Sequence, residues 1–384
     1  MFRFLTAGES HGRALTAVVE GIPAGLRLDE DYIARDLKRR QGGYGRGGRM
    51  KIEQDRAEIL SGVRHGLTIG SPISLLLWNR DWENWQDVMA IAAVEKAIEP
   101  VTRLRPGHAD LAGALKYGQE DVRPILERAS ARETAARVAV GAVARRFLDE
   151  FGIEIHSHTI AIGGIWAGTK DSTNVDWGQV EGSPVRCGDG EAERKMMAAI
   201  DEAREGGDSV GGGFQVVASG VPIGLGSHVQ WDRRLDGKIA QALMSINAVK
   251  GVEIGAGFSL ASLRGSQAHD IIHFDRARGQ WRHASNRAGG VEGGMANGEP
   301  VVVNAVVKPI PTLGKPLPSA DLKTGETVQA HVERADACVV PAAGVIGEAM
   351  LAIVLADAVL EKFGGDHIRE TLRNCQGYLE AIRE

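Results

Sequence analysis

Ala342-Ala343-Gly344-Val345-Ile346-Gly347-Glu348-Ala349-Met350-Leu351-Ala352-Ile353-Val354-Leu355-Ala356-Asp357-Ala358-Val359-Leu360-Glu361-Lys362-Phe363 is apolar around almost its whole circumference. A helix without a polar face must be enclosed on all sides, by protein or by lipid. Glu348 and Asp357 interrupt this one and Gly364-Gly365 closes it, so it reads as a core helix and not a membrane span. Other segments of the chain must supply what encloses it. Ser130-Ala131-Arg132-Glu133 has the S-x-x-E spacing of a capping box and opens an Ala/Val-rich helix that runs to about Leu148. A further helix spans 29–40, with Asp29 as N-cap, Ile33 and Leu37 four apart, and glycines just past its basic end. Segments 14–19, 73–77, 153–162, 213–221 and 301–307 are short, β-branched or alternating, and bounded by Gly or Pro, which predicts strands. Strands and helices mix without a βαβ rhythm. The pattern therefore predicts an α+β fold with helices in the core and sheets outside.

The chain has 384 residues, 43% of them hydrophobic, enough to bury a large core. No stretch reads as a free linker and no fixed-period repeat is visible, so residues 1–384 are read as a single domain with long glycine-rich loops. The 50 glycines are roughly twice ordinary usage and gather at 41–48, 206–213 and 289–298, where the backbone must bend tightly or approach a ligand closely. A net charge of −5 gives no general attraction to nucleic acid or acidic membranes, so an anion must be held by a local arginine cluster. Cys187, Cys338 and Cys375 are far apart and form no C-x-x-C pair, which argues against a disulfide framework or structural zinc and for a reducing cytoplasm. Met1-Phe2-Arg3-Phe4-Leu5 lacks the basic and long apolar regions of a signal peptide, so the mature chain is expected to begin there.

Arginine and glycine meet in Arg39-Arg40-Gln41-Gly42-Gly43-Tyr44-Gly45-Arg46-Gly47-Gly48-Arg49, four guanidinium groups on a flexible segment after a helix. The planar guanidinium fork matches phosphate and carboxylate, and glycine lets the backbone fold round the bound group. A small polyanion is one partner for this loop; a solvated basic loop and an RGG-type RNA-binding segment are the others. The RNA reading needs repeats and there is one copy. A dinucleotide fingerprint is discounted, because no apolar strand precedes these glycines and no helix follows. Arg128 and Arg132 flank the start of the capped helix, where backbone N–H groups and the helix dipole also favour an anion. An ordinary N-cap with exposed arginines is the plainer reading of that segment. Arg334-Ala335-Asp336, taken alone, reads as a structural ion pair.

Two histidines sit in turn-forming settings, Gly8-Glu9-Ser10-His11-Gly12 and Arg105-Pro106-Gly107-His108-Ala109-Asp110, where a titratable nitrogen can face a ligand. They suggest proton-transfer chemistry. His156 and His158 would share a strand face, but no third ligand is suggested; solvent exposure is expected for both, and no metal site is expected.

Together these segments resemble chorismate synthase, from Gly8 to the helix ending near Phe363. The specific run is Gly-Glu-Ser-His-Gly, Arg-Arg-Gln-Gly-Gly-Tyr-Gly-Arg, Arg-Pro-Gly-His-Ala-Asp, Ser-Ala-Arg-Glu-Thr, Lys308-Pro309-Ile310-Pro311-Thr312 and Arg334-Ala335-Asp336, in that order. The resemblance implies a β-α-β sandwich, a helical core between antiparallel sheets, assembled as a homotetramer. It implies the trans-1,4-elimination of phosphate from 5-enolpyruvylshikimate 3-phosphate to give chorismate, in the shikimate route to the aromatic amino acids, with reduced FMN as an obligatory cofactor of a redox-neutral reaction. By motif, Arg40, Arg46, Arg49, Arg105, Arg132 and Arg334 correspond to arginines that hold the substrate. His11 matches the histidine that protonates the departing phosphate, and His108 the one that faces the flavin. Asp336 matches the carboxylate that takes a proton from flavin N5, which acts in turn on the C6 hydrogen. The flavin site carries over to Arg128, Ala129 and Ser130, to Asn247 and Ala248, to Gly293, to Lys308, Pro309, Ile310, Pro311 and Thr312, and to Arg334. Ala129 and Ala296 stand where many members carry a hydroxyl.

A substrate with one phosphate and two carboxylates needs several cations to offset its desolvation, which agrees with the arginine count. An NAD(P)H-dependent flavin reductase would share an FMN site without needing so many arginines, and an RNA-binding protein would need neither histidine. No strand–loop–helix dinucleotide fingerprint is present, so weak flavin reduction by the chain itself is expected. NADPH or an external flavin reductase would then supply the electrons, with no nucleic-acid or membrane partner.

Overall fold

The structure is a computed structural model that describes residues 1–47, 54–168, 175–277, 279–332 and 336–382. The apolar stretch forms the central helix Val340–Phe363, with Pro341 in its first turn and Gly364 at its end. All of its residues except Asp357, Glu361 and Lys362 are buried, as expected of a helix with no polar face. It is long and apolar enough to cross a membrane, yet protein encloses it.

Against it lies the helix Thr134–Asp149. The two backbones meet at Gly141, where an added Cβ would fall 2.3 Å from Ala349 Cβ and 2.6 Å from Ala349 Cα. Only glycine permits that approach. Two antiparallel sheets cover this helical layer. One has the strand order Arg3–Ala7, Ala14–Glu20, Ile73–Trp78, Glu58–Ile59, with Phe4 opposite Val19 and Ala17 opposite Leu75. The other runs Val249–Ile254, Val301–Val307, Gly212–Ser219, Glu154–Ile162, Ile165–Trp166. The Thr134–Asp149 helix touches the first sheet and the central helix the second. One contiguous apolar core runs from Leu15 and Leu75 through Val138 and Leu351 to Phe214 and Val303. Helices between antiparallel sheets is the α+β arrangement expected from the sequence.

The helix expected over 29–40 is Glu30–Gln41, capped by the Asp29 carboxylate, which accepts from the Tyr32 N–H at 2.8 Å. The capping box differs from expectation. Ala131–Glu133 is a 3-10 turn and the α-helix begins at Thr134. Ser130 Oγ accepts from the Arg132 N–H at 3.3 Å, while the buried Glu133 pairs with Arg137 one turn on, at 2.9 Å.

Glu348, wholly buried in the central helix, ties these layers together. Its carboxylate accepts from Arg39 Nη1 and Nη2 at 2.6 and 2.9 Å, Arg145 Nη2 at 2.5 Å and Ser157 Oγ at 2.6 Å, with Arg186 Nη2 at 3.3 Å. Burial alone would raise its pKa, but Arg39 and Arg145 outweigh burial and hold it well below the usual carboxylate range. Arg39 belongs to the 30–41 helix, so this ionic cluster fixes the end from which Arg40 and the glycine-rich loop depart.

Candidate active site

Gly8-Glu9-Ser10-His11-Gly12 makes the turn between the first two strands. Gly8 has φ +103°, and a Cβ there would sit 2.4 Å from the Ala14 carbonyl oxygen. Asn79 Nδ2 closes the turn by donating to the Glu9 and Gly12 carbonyls at 3.1 and 2.7 Å. The Ser10 N–H donates to the Glu127 carbonyl at 3.1 Å. The buried Glu127 carboxylate accepts the His11 N–H at 2.7 Å and stands 3.0 Å from His11 Nδ1. Trp85 stacks on the imidazole at 4.0 Å, and Arg123 lies over the Trp85 ring.

Beside this turn the arginines gather at a buried carboxylate, Asp55. Arg132 Nη1 donates to Asp55 Oδ1 at 2.5 Å, and Arg40 Nη1 to Oδ2 at 3.4 Å. Arg40 is further fixed by Thr134 Oγ1 and the Ala131 carbonyl, both at 2.9 Å; Arg132 Nε donates to Asn79 Oδ1 at 3.0 Å. Arg46 pairs with Asp336 at 3.0 Å, and the Gly47 N–H donates to the same carboxylate at 2.5 Å. Burial, offset in part by Asp55 and reinforced by the cations Arg46 and Arg132, pushes Arg40 down to about 10. A guanidinium so placed gains from a bound anion, which lowers the cost of its charge. Arg49 and Arg334 lie outside the described residues.

The second histidine turn is braced by its own carboxylate. Asp110 accepts from the Arg105 N–H and Nε at 3.0 and 3.1 Å and bonds His108 Nδ1. Burial opposes ionisation of Asp110, yet the hydrogen bonds from His108 and Arg105 prevail and lower it to about 2. Arg105 also reaches Thr312 Oγ1 at 3.3 Å, and Lys308 Nζ donates to the Gly107 carbonyl, so the 308–312 segment packs on this turn. Ser209 Oγ donates to the Ile310 carbonyl at 2.8 Å, between Pro309 and Pro311.

A chain of contacts joins the two turns. Ser130 Oγ and Ser10 Oγ are 3.1 Å apart, and Arg128 donates to the Gly8 and Thr6 carbonyls, each at 3.2 Å. Asn247 Nδ2 donates to the Ala129 carbonyl at 3.0 Å, and the Lys308 N–H to the carbonyl of Ala248 at 2.9 Å. Ala248 takes φ +66°, a left-handed conformation that L-residues rarely adopt. Asn247 Oδ1 is buried with no hydrogen-bond partner among the described residues, an acceptor left for a ligand donor. Gly293 stands apart, at the tip of the hairpin Val291–Glu292 and Met295–Ala296 against the start of the helix Leu235–Met244.

Some expectations fail. Arg39, grouped by sequence with the anion-binding loop, points into the core at Glu348 and also bonds Glu181 at 2.6 Å. His158 is buried, not exposed: its Nε2 lies 3.1 Å from Gln215 Oε1 and the edge of Trp177 packs on it, because its strand faces the helix Trp177–Gly182. His156 is half-buried, stacked on the same Trp177 at 4.8 Å. Asp55, Asn79, Trp85 and Glu127 have no role in the sequence reading: Asn79 meets Arg132, and Trp85 and Glu127 meet His11, across more than 50 residues, while Asp55 bridges Arg40, 15 residues away, to Arg132, 77 residues away. Asp110 lay in a quoted motif, and its spacing of two from His108 was the available signal.

A family model described as chorismate synthase matches residues 2–360. The chain belongs to the chorismate synthase family. It is 58% identical over 388 residues to the chorismate synthase of Moorella thermoacetica, covering 100% of each chain. It is 55% identical to that of Aquifex aeolicus, covering 99% of this chain and 98% of the relative. A solved structure described as a crystal structure of chorismate synthase superposes with a TM-score of 0.81 at 46% identity, covering 100% of this chain and 98% of that one. Membership in the chorismate synthase family makes the chain an enzyme of the lyase class acting on a small molecule.

Proposed function

We propose that the protein eliminates phosphate in trans-1,4 fashion from 5-enolpyruvylshikimate 3-phosphate to give chorismate, with the substrate held at the Arg40, Arg46 and Arg132 cluster. The observation that carries this reading is the density of charge. Three guanidiniums, Arg40, Arg46 and Arg132, face two carboxylates, Asp55 and Asp336, in one partly buried group that borders the His11 turn. The excess cation suits a ligand with a phosphate and two carboxylates. Arg49, Arg105 and Arg334 are proposed to complete the anion site.

His11 is the proton donor to the leaving phosphate, and His108 keeps a proton at the flavin. Both present Nδ1 to a buried carboxylate, which fixes the ring; His11 keeps Nε2 for the ligand, while His108 Nε2 has Arg105 Nη2 beside it at 3.4 Å. Asp336 is the proton acceptor of the site. It pairs with Arg46 at 3.0 Å, and an anion that draws Arg46 away releases it. Reduced FMN fits beside these groups: Asn247 Oδ1 offers an unused acceptor, and Arg128, Ala129, Ser130, Ala248 and the 308–312 segment border it. When bound, the reduced flavin supplies the basic nitrogen for the C6 hydrogen. Gly293 joins the flavin site only if its hairpin closes or a second copy brings it near, consistent with a homotetramer.

The electrons come from outside, from NADPH through a separate flavin reductase in the cytoplasm, because no dinucleotide fingerprint is present. Anaerobic incubation with substrate and chemically reduced FMN should yield chorismate. Substrate with NADPH and FMN, without a chemical reductant or an added reductase, should yield little. Absence of product in the first arm would end the proposal, and sustained product in the second would show that the chain reduces its own flavin.

A further inference from the structure

We infer that Glu127 is the positioning residue for His11, setting the ring's tautomer and aim so that one nitrogen alone exchanges a proton with the ligand. The inference rests on the reading of His11 as proton donor. Glu127 lies in the helix Arg123–Ala129, and its side chain is 2% exposed against 15% for His11. One carboxylate serves two donors of the same residue, the His11 main-chain N–H at 2.7 Å and Nδ1 at 3.0 Å. The main-chain bond fixes where the residue sits and the ring bond fixes which way it faces.

An ionised carboxylate accepts hydrogen bonds and donates none, so Nδ1 carries a proton in both charge states of the ring. The transferable proton is then on Nε2. In the imidazolium form Nε2–H gives its proton to a phosphate oxygen; afterwards the ring remains the Nδ1–H tautomer, still bonded to Glu127. The ring need not rotate during turnover. Trp85, stacked at 4.0 Å, closes one face of the imidazole, and Arg123 Nη1, 3.4 Å from Glu127 Oε1, braces the carboxylate. Glu127 touches no ligand in this scheme and acts through His11.

The test compares kcat, KM and FMN affinity, with reduced FMN supplied anaerobically, for Glu127→Ala, Glu127→Gln, His11→Ala and the double variant Glu127→Ala/His11→Ala. A carboxylate that orients a metal-bound histidine is worth about 10–100-fold, and the same scale is expected for one that orients an acid–base histidine. Glu127→Ala should lose kcat near the upper end of that range, and Glu127→Gln, whose amide oxygen still accepts both donors, near the lower end. KM and FMN affinity should stay within about threefold in both. In the His11→Ala background the Glu127 change should cost nothing further, because a residue that works through another is not additive with it. Wild-type kcat in Glu127→Gln, or an equal loss with and without His11, would overturn the inference. If His11→Ala itself turns over normally, the donor reading fails instead. The ¹⁵N imidazole spectrum of the resting protein still decides Glu127: a proton on Nδ1 in wild type and in Glu127→Gln that moves to Nε2 in Glu127→Ala supports the role, and an unchanged tautomer in Glu127→Ala rejects it. Should Glu127→Ala not fold, the kcat of Glu127→Gln and the wild-type spectrum carry the test, and a neutral wild-type ring protonated on Nε2 rejects the role.

Discussion

Replacing Glu348 with alanine should destabilise the whole sandwich by an amount that the ion-pair geometry bounds. The carboxylate is 0% exposed and serves Arg39, Arg145 and Arg186 at once. Its removal does not strand all three. Asp36 still pairs with Arg145 at 3.0 Å and Arg39 at 3.4 Å, and Glu181 with Arg39 at 2.6 Å and Arg186 at 2.9 Å. Three cations are left with two carboxylates, one uncompensated charge in the core. Breaking a buried pair by deleting one partner costs about 3–5 kcal/mol. With an unfolding entropy of about 2.1 cal/mol/K per residue, 384 residues give roughly 0.8 kcal/mol per kelvin. The expected fall in Tm is therefore about 4–6 °C. Scanning calorimetry of the wild type and Glu348→Ala at one scan rate checks it. A Tm within about 1 °C of wild type would refute the reasoning, because the cluster would then contribute no more than an exposed pair.

Three further outcomes follow from single contacts. Gly141→Ala puts a Cβ 2.3 Å from Ala349 Cβ and 2.9 Å from its carbonyl oxygen, so despite the better helix propensity it should lower stability by about 1–3 kcal/mol; a melt at or above the wild-type temperature would contradict that close approach. Asp110 is lowered from 3.8 to about 2, so its stabilisation is full above 3.8 and fades as pH falls through that window. Asp110→Asn should be weaker than wild type at neutral pH by on the order of 2 kcal/mol, with the gap in denaturant midpoints narrowing on acidification; a constant gap would dismiss the linkage. His108→Ala should keep FMN and substrate binding but lose about 10²–10⁴-fold in turnover, and near-normal turnover with reduced FMN supplied would remove His108 from the chemistry.

The layers were legible because burial leaves a periodic trace. The all-apolar central helix could only be a core element, and the five expected strands fall within a residue or two of 14–20, 73–78, 154–162, 212–219 and 301–307. The site was legible in its motifs and less so in its direction. Arg39 and Arg40 are adjacent, yet helical geometry turns them about 100° apart, one toward Glu348 and the other toward Asp55. Nothing local in the sequence distinguishes them. Asp55 and Glu127 escaped because the shortest of their contacts reach 77 and 116 residues away, to Arg132 and His11. A pairing at that distance is set by how the layers dock, which composition and spacing do not encode. The 3-10 turn at 131–133 escaped for a similar reason: Glu133 bonds Arg137 in place of the cap its spacing suggested.

The account holds that flavin and phosphorylated substrate share one pocket between the His11 and His108 turns, bordered by Ser130, Asn247 and Lys308. Calorimetric titration of FMN into the protein with and without 5-enolpyruvylshikimate 3-phosphate tests this most directly. Ligands that share contacts must alter each other's affinity reciprocally, by typically 1–3 kcal/mol or about 5–150-fold. The account predicts tighter FMN binding with substrate present, an equal tightening of substrate by FMN, and loss of both effects in Arg132→Ala. Identical FMN affinity in the two titrations would contradict it.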